Sequence, residues 1–331
     1  MQKENLSHDS PQIHLWYGKR QRFGHVGRPQ RWVNVLGRVR GQFPLHSLDY
    51  TLNGGDLVKL TIGPDLRRLA GKGDFNIDLD CGDLHLGDNH VEIIARDVRG
   101  NQSVESVIVE YADEPCPLPL DIDWRQVRSI DEVGHVTDGI WSLVEGGVSP
   151  VEIGYDRLIA IGEMGWRDYQ VTVPITVHAI HAACYNRPSV HAGVGIVMRW
   201  KGHSNWGEDQ WASGQPRFGP SPYGAIGWYC VFHDDGPILN LFDPRFQRPV
   251  QLSYDLPLHV PHIFKVRVET LADQSSLFSL KVWRADAHEP ASWTLQAPGT
   301  PVSLKEGALL LGAHHTAATF GNVLVEPVPP A

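Results

Sequence analysis

His191-Ala192-Gly193-Val194-Gly195-Ile196-Val197-Met198-Arg199-Trp200 and, after a polar loop, Ala225-Ile226-Gly227-Trp228-Tyr229-Cys230-Val231-Phe232-His233 are the two runs on which the reading of this chain turns. Both are β-type, and successive side chains of a strand point to opposite faces. Alternation puts Val194, Ile196, Met198 and Trp200 on one face of the first run, against Gly193, Gly195, Val197 and Arg199. In the second, Ile226, Trp228, Cys230 and Phe232 oppose Gly227, Tyr229, Val231 and His233. In each run the second set mixes glycine with Arg, Tyr or His. Glycine in a strand lets another group approach the backbone closely, so this set reads as a binding surface on a sheet.

The composition limits what such a surface can bind. Of 331 residues, 42% are hydrophobic and 20% charged, enough for a full core and long enough for two domains. The formal net charge of −9 lacks the basic stripe that nucleic acid requires. No apolar run reaches the length of about 18 residues that spans a bilayer, so no membrane insertion is expected. The opening MQKENLSHDSPQIHLWYG has no apolar signal-peptide core, and a cytoplasmic location is expected. Cys81, Cys116, Cys184 and Cys230 are widely spaced without a CxxC pattern, which argues against zinc and against a disulfide framework. Cys230, on an apolar strand face, reads as a buried thiol.

In chain order, residues 1–11 are polar and expected to be disordered. Residues 12–112 form short alternating runs with turn signals, Asn53-Gly54-Gly55 among them, the pattern of a β-sandwich. The segment Leu84–Asn101 fits L-x-x-G-x-N-x-V-x-I-x-A-x-D-x-x-G-N and resembles the closing hairpin of bacterial immunoglobulin-like and cadherin-like modules. Within it Asp97 reads as a turn-capping carboxylate rather than a calcium ligand. Lys19, Arg20, Arg22, Arg28 and Arg31 read as a solvated basic patch rather than an anion site. Residues 113–120, DEPCPLPL, carry three prolines and form a stiff linker. Residues 121–328 then supply about ten or more strands with no sustained helical period, as in a two-sheet jelly roll.

Three features of residues 121–327 resemble the concanavalin A-like lectin/glucanase superfamily. They are Asp138-Gly139-Ile140-Trp141 followed by Trp166–Val173, the Gly-x-Gly-aliphatic strand from Gly193 to Trp200, and the close from Gly307 through His314 to Val325. That close is similar to the end of jelly-roll 3-keto-glycoside hydrolase-like proteins, in which a histidine precedes a Phe-x-Asn-aliphatic strand, and His314 takes that place by spacing. The E-x-D-x-x-E run of laminarinase-type glucanases and the alginate lyase runs are absent. The fold expected is all-β: an N-terminal immunoglobulin-like sandwich and a C-terminal concanavalin A-like jelly roll.

Alternation over His262–Glu269 and Leu277–Trp283 gives outer faces that are mostly charged, as on a solvated convex sheet. The concave sheet is then expected to carry Arg199, Tyr229 and His233, with Asn240 from Ile238–Phe242 and Thr172, Thr176 and His178 from Tyr169–Ile180. Arg, Tyr, Asn and His suit a polyhydroxylated ligand, and Trp206, Trp211 and Tyr223 of the loop can cover its C–H faces. Trp228, by contrast, reads as core. The partner expected is an oligosaccharide or polysaccharide, bound without chemistry. The alternative is a glycoside hydrolase or polysaccharide lyase with His233 or His314 as acid/base and Tyr229 or Arg199 stabilising charge. A protein-interaction module is a third reading. Glu208, Asp209, Asp234 and Asp235 are the carboxylates on offer. His314 and His315, being adjacent on a strand, should point to opposite faces, so only one can reach the site. A structural calcium ion has Asp123 and Asp138 as its candidate ligands.

Overall fold

The computed structural model describes the chain except residues 1–9, 66, 183–190, 205–215, 218–221, 233–235, 244–248, 301 and 329–331. The chain is all-β; among the described residues only three short 3-10 turns interrupt the strands. It divides into two compact units. The first holds residues 1–25, 31–113 and 205–219, and the second holds 26–30, 114–204 and 220–331.

In the first unit a three-stranded sheet (Gln12–Leu15, Trp32–Arg40, Asp74–Asp80) and a five-stranded sheet share one core. The five-stranded sheet runs in the order Arg20–Phe23, Gln102–Tyr111, Gly87–Asp97, Leu45–Leu52, Val58–Lys59. Val33, Val35, Phe75 and Ile77 of the first sheet meet Leu48, Val91, Ile93, Val107 and Val109 of the second. Asn53 and Gly54 both have positive φ, as the tight turn after Leu52 requires. Asp97 caps its turn, accepting from the backbone N–H of Arg99 and Asn101 and from the Asn101 amide. The basic patch is ion-paired: Lys19 with Glu105, Arg20 with Asp88 and Glu110, and Arg31 with Asp80.

The second unit stacks two antiparallel sheets. The seven-stranded one runs His135–Asp138, Arg157–Ile161, Ala308–His314, Ala192–Trp200, Ala225–Phe232, Gly236–Phe242, Val250–Ser253. The nine-stranded one is built around Thr316–Phe320, Tyr169–Ile180, His262–Thr270 and Ser276–Arg284. Burial alternates cleanly along Tyr169–Ile180 and His262–Thr270. Val171, Val173 and Ile175 face the inter-sheet core with Phe264, Val266 and Val268.

This pairing corrects one expectation. Tyr169–Ile180 hydrogen-bonds to His262–Thr270 over seven residue pairs, so Thr172, Thr176 and His178 belong to the sheet expected to be convex. Similar alternation in several strands does not reveal which sheet each strand joins, and the pairing alone decides it. On that surface His178 bonds to Thr319 and lies 3.5 Å from the His259 ring nitrogen. It does not line the pocket described next.

Candidate functional site

The register of the seven-stranded sheet fixes what stands beside what. Gly195 pairs with Trp228 on one side and Gly312 on the other; Trp228 pairs with Asn240, and Asn240 with Gln251. Directly opposed residues of antiparallel strands share a face. One row across the outer face therefore reads Leu158, Gly312, Gly195, Trp228, Asn240, Gln251. The row beside it reads Ala160, Leu310, Val197, Ile226, Phe242. On the other side His314 pairs with Gly193 and Gly193 with Cys230.

The glycine set of the first run thus lies with the tryptophan set of the second, not with Tyr229. The alternation expected within each strand is present, but its phase between the strands is crossed. A Cβ on Gly193 would stand 2.5 Å from the Trp228 ring, and one on Gly195 would stand 2.5 Å from the Trp228 Cβ. What the glycines admit is therefore the indole of the neighbouring strand. Gly227 faces the other way, where a Cβ would meet Val266 and Leu280 of the nine-stranded sheet.

Trp228 is one wall of a pocket of about 250 Å³. Leu158, Val197, Tyr223, Ile226, Phe242 and Leu310 line one side, and Tyr155, Asp156, His191 and His314 make the polar end. His314 is 6% exposed and its Nδ1 is 2.7 Å from the Asp156 carboxylate. The Tyr155 ring meets it edge-on at 4.9 Å, and the His191 ring stacks on it at 4.6 Å, with Phe232 on the far side of His191 at 5.3 Å. Burial, reinforced by His314, lowers the His191 pKa. Burial also drives His315 down to about 4, with His314 and His181 adding to the effect. His315 is the left-handed corner (φ 50) between Ala308–His314 of one sheet and Thr316–Phe320 of the other. Across that corner strict alternation fails, and the two imidazoles lie 4.5 Å apart. Only His314 lines the pocket.

Asn240, 7% exposed, is the other polar group of this face. Its amide oxygen is buried and has no hydrogen-bond partner among the described residues.

Other expected site residues are placed differently. Arg199 is 0% exposed and turned into the sandwich. Its φ of 51 and a register shift between Val197 and Trp200 form a bulge that exchanges the two faces. As a result Trp200, not Arg199, joins the outer cluster with Leu158, Val197, Tyr223 and Leu310. All five guanidinium N–H donors are spent, on the Arg167 and Leu304 carbonyls, Ser276, Thr270 and Asp168. The backbone N–H of Arg199 donates to the buried Tyr169 hydroxyl. Arg199 is structural, which removes it from the ligand and catalytic sets. Tyr229, paired with Val194 and Leu239, is buried on the inner face and leaves both sets as well.

Asp123 caps a 3-10 turn and is held by Arg125 and Gln126. Asp138 is buried and bonded to His203 at 2.5 Å. Both carboxylates are committed to protein donors and do not fit a calcium site. Among the described residues no group of three or more His, Cys, Asp or Glu could hold a metal. His233, Trp206, Trp211, Cys184, Glu208, Asp209, Asp234 and Asp235 lie outside the described residues. Cys230 is a fully buried free thiol.

The structure brings His314, Asn240 and Tyr223 to the outer face, and it adds Trp228, Asp156, Tyr155 and His191. Trp228 carried a sequence signal, since a Gly-x-Gly run one strand away leaves room for a large ring. Asp156 carried none, because its partner His314 is 158 residues distant.

No family model and no curated relative matches the chain. Among solved structures it is similar to the VIP36 exoplasmic/lumenal domain in its Ca2+/Man3GlcNAc-bound form, at 11% identity and TM-score 0.42, covering 60% of this chain and 87% of that one. The Caenorhabditis elegans galectin LEC-6 matches at 7% identity and TM-score 0.30, over 51% and 89% of the two chains. A structure described by the promiscuous specificity of carbohydrate-binding modules of the beta-sandwich superfamily matches at 9% identity and TM-score 0.20, over 97% and 98%. At these distances no residue role passes from them to this chain.

Proposed function

We propose that the second unit binds a glycan on the outer face of its seven-stranded sheet, in the pocket between Trp228 and His314. The observation that carries this reading is the pocket itself, in which the Trp228 indole stands beside the His314 ring held by Asp156. Sugars offer C–H surfaces to aromatic rings and hydroxyls to polar side chains. Hydroxyl hydration lost on binding is then replaced by the polar groups of Tyr155, Asp156, His191 and His314 that line the pocket. The first unit is proposed to be the immunoglobulin-like module that the Leu84–Asn101 pattern implies, and the second the concanavalin A-like one.

Calorimetric titration following a broad glycan array tests the proposal. Trp228→Ala should weaken the best glycan about tenfold or more, because stacking on one ring is worth roughly 0.5–1.5 kcal/mol beyond its area. Equal affinity of the variant, or no glycan bound by the native chain, would overturn it.

The His314–Asp156 pair favours a second reading, in which the bound glycan is also cleaved. A carboxylate on Nδ1 orients the ring and leaves Nε2 as the working nitrogen of a general acid or base. New products on overnight incubation that disappear in His314→Ala would establish it; intact glycan would refute it.

A further inference from the structure

We infer that His178 and His259 form a site for a divalent transition metal of the copper, nickel and zinc group, held between their Nδ1 atoms on the surface of the nine-stranded sheet. Neither residue lines the pocket of Trp228 and His314. The two are 81 positions apart in sequence, and two backbone features bring them together. His178 sits at the register shift between Val177 and Ala179, where Tyr169–Ile180 pairs with Thr316–Phe320. Such a bulge re-aims the side chain it carries. His259, on the turn before His262–Thr270, donates its backbone N–H to the Val177 carbonyl at 2.7 Å and has a left-handed φ of 63. The ring geometry suits a shared ion. The Nδ1 atoms lie 3.5 Å apart and the ring centroids 5.6 Å, so the nitrogen-bearing edges face each other. That separation exceeds the roughly 2.7–3.2 Å of a well-formed hydrogen bond. It is close to the ~3.3–3.4 Å spanned by two metal–nitrogen bonds of about 2.0–2.1 Å at the tetrahedral angle. The other ring nitrogen of His178, Nε2, is 2.8 Å from Thr319 Oγ1. An imidazole that donates its N–H to such an acceptor keeps the lone pair of its second nitrogen for the metal. Imidazole nitrogen suits copper, nickel and zinc, whereas calcium and magnesium take oxygen ligands. Among the described residues no third His, Cys, Asp or Glu joins the pair, so water completes the coordination shell.

Titration calorimetry on the full chain, first freed of metal with a chelator, tests the inference with Cu2+ and Zn2+ as probes and Ca2+ as the oxygen-preferring control. The tightest Cu2+ and Zn2+ site should weaken about 100-fold in His178→Phe and in His259→Asn, the upper end of what losing an orienting partner alone costs. Asparagine tolerates the left-handed backbone of position 259, and phenylalanine keeps a ring on the strand. Thr319→Val should weaken the same site about tenfold or more by releasing the His178 ring, and Thr319→Ser should retain it. His46→Ala, which removes an exposed imidazole of the first unit, should leave the affinity unchanged. Urea unfolding shows whether each variant folds; if one histidine variant does not, the other decides. Undiminished Cu2+ and Zn2+ binding in the histidine variants, equal losses in His46→Ala, tighter binding of Ca2+ at the pair, or no metal bound at all would each overturn the inference. None of these outcomes bears on the glycan pocket.

Discussion

The two faces of one seven-stranded sheet hold their polar groups in opposite states. On the inner face Arg199 spends every donor it has, on two carbonyls, two hydroxyls and a carboxylate, and is wholly buried. On the outer face the Asn240 oxygen is as well hidden but has no partner among the described residues, and His314 is held by Asp156 through Nδ1. A fully satisfied polar network rigidifies and specifies a fold. Residue type does not separate the two cases. An arginine beside glycines looks more like a ligand contact than an asparagine among aliphatics, yet the arginine is the structural residue.

This contrast can be broken experimentally. The largest effect is expected at Arg199. Arg199→Met should cost about 3 kcal/mol or more, because it strands a buried hydrogen-bonded ion pair and several acceptors. Urea unfolding measures the cost. If stability held while glycan binding vanished, Arg199 would belong to the site after all. Next comes Gly193→Ala, whose methyl would collide with the Trp228 ring. A loss of about 1–3 kcal/mol is expected from overpacking, together with a shift in tryptophan emission and weaker glycan binding. A silent Gly193→Ala would mean that the indole does not depend on the glycine.

The pH dependence should be smaller. His315 titrates at about 4 in the folded chain, against roughly 6.5 for a free imidazole. Between those values the unfolded chain binds more protons, so stability is fully present above about pH 6.5 and declines as the pH falls to about 4. For a half-buried ring, allowing for solvent screening, the decline should be about 1–2 kcal/mol. His315→Asn, which tolerates the left-handed corner, should flatten that part of the unfolding profile; an unchanged slope would assign it to other groups. Asn240→Ala should matter least for folding, within about 1 kcal/mol, since its buried oxygen makes no hydrogen bond among the described residues. A large loss of stability would show that the Asn240 oxygen is satisfied in the free protein.

Much of the fold was legible from the residues alone. Period-2 alternation located the strands around Gly193 and Trp228, the burial of Phe264, Val266 and Val268, and the turn at Asn53-Gly54, because each depends on neighbours within a few positions. Asn240 became a site candidate by alternation, and His314 by the resemblance of the close from Gly307 to Val325. Three matters were not legible. One was the sheet that Tyr169–Ile180 joins; another was the bulge that turns Arg199 inward; the last was the pairing of His314 with Asp156.

Local sequence therefore determined which residues alternate, where strands stop and that the chain is all-β, since those follow from backbone geometry and side-chain polarity over short spans. Only tertiary structure decided which glycines face which tryptophan and which polar groups are satisfied. Register places residues from distant strands opposite one another, and a one-residue shift, as at Arg199, exchanges inside for outside.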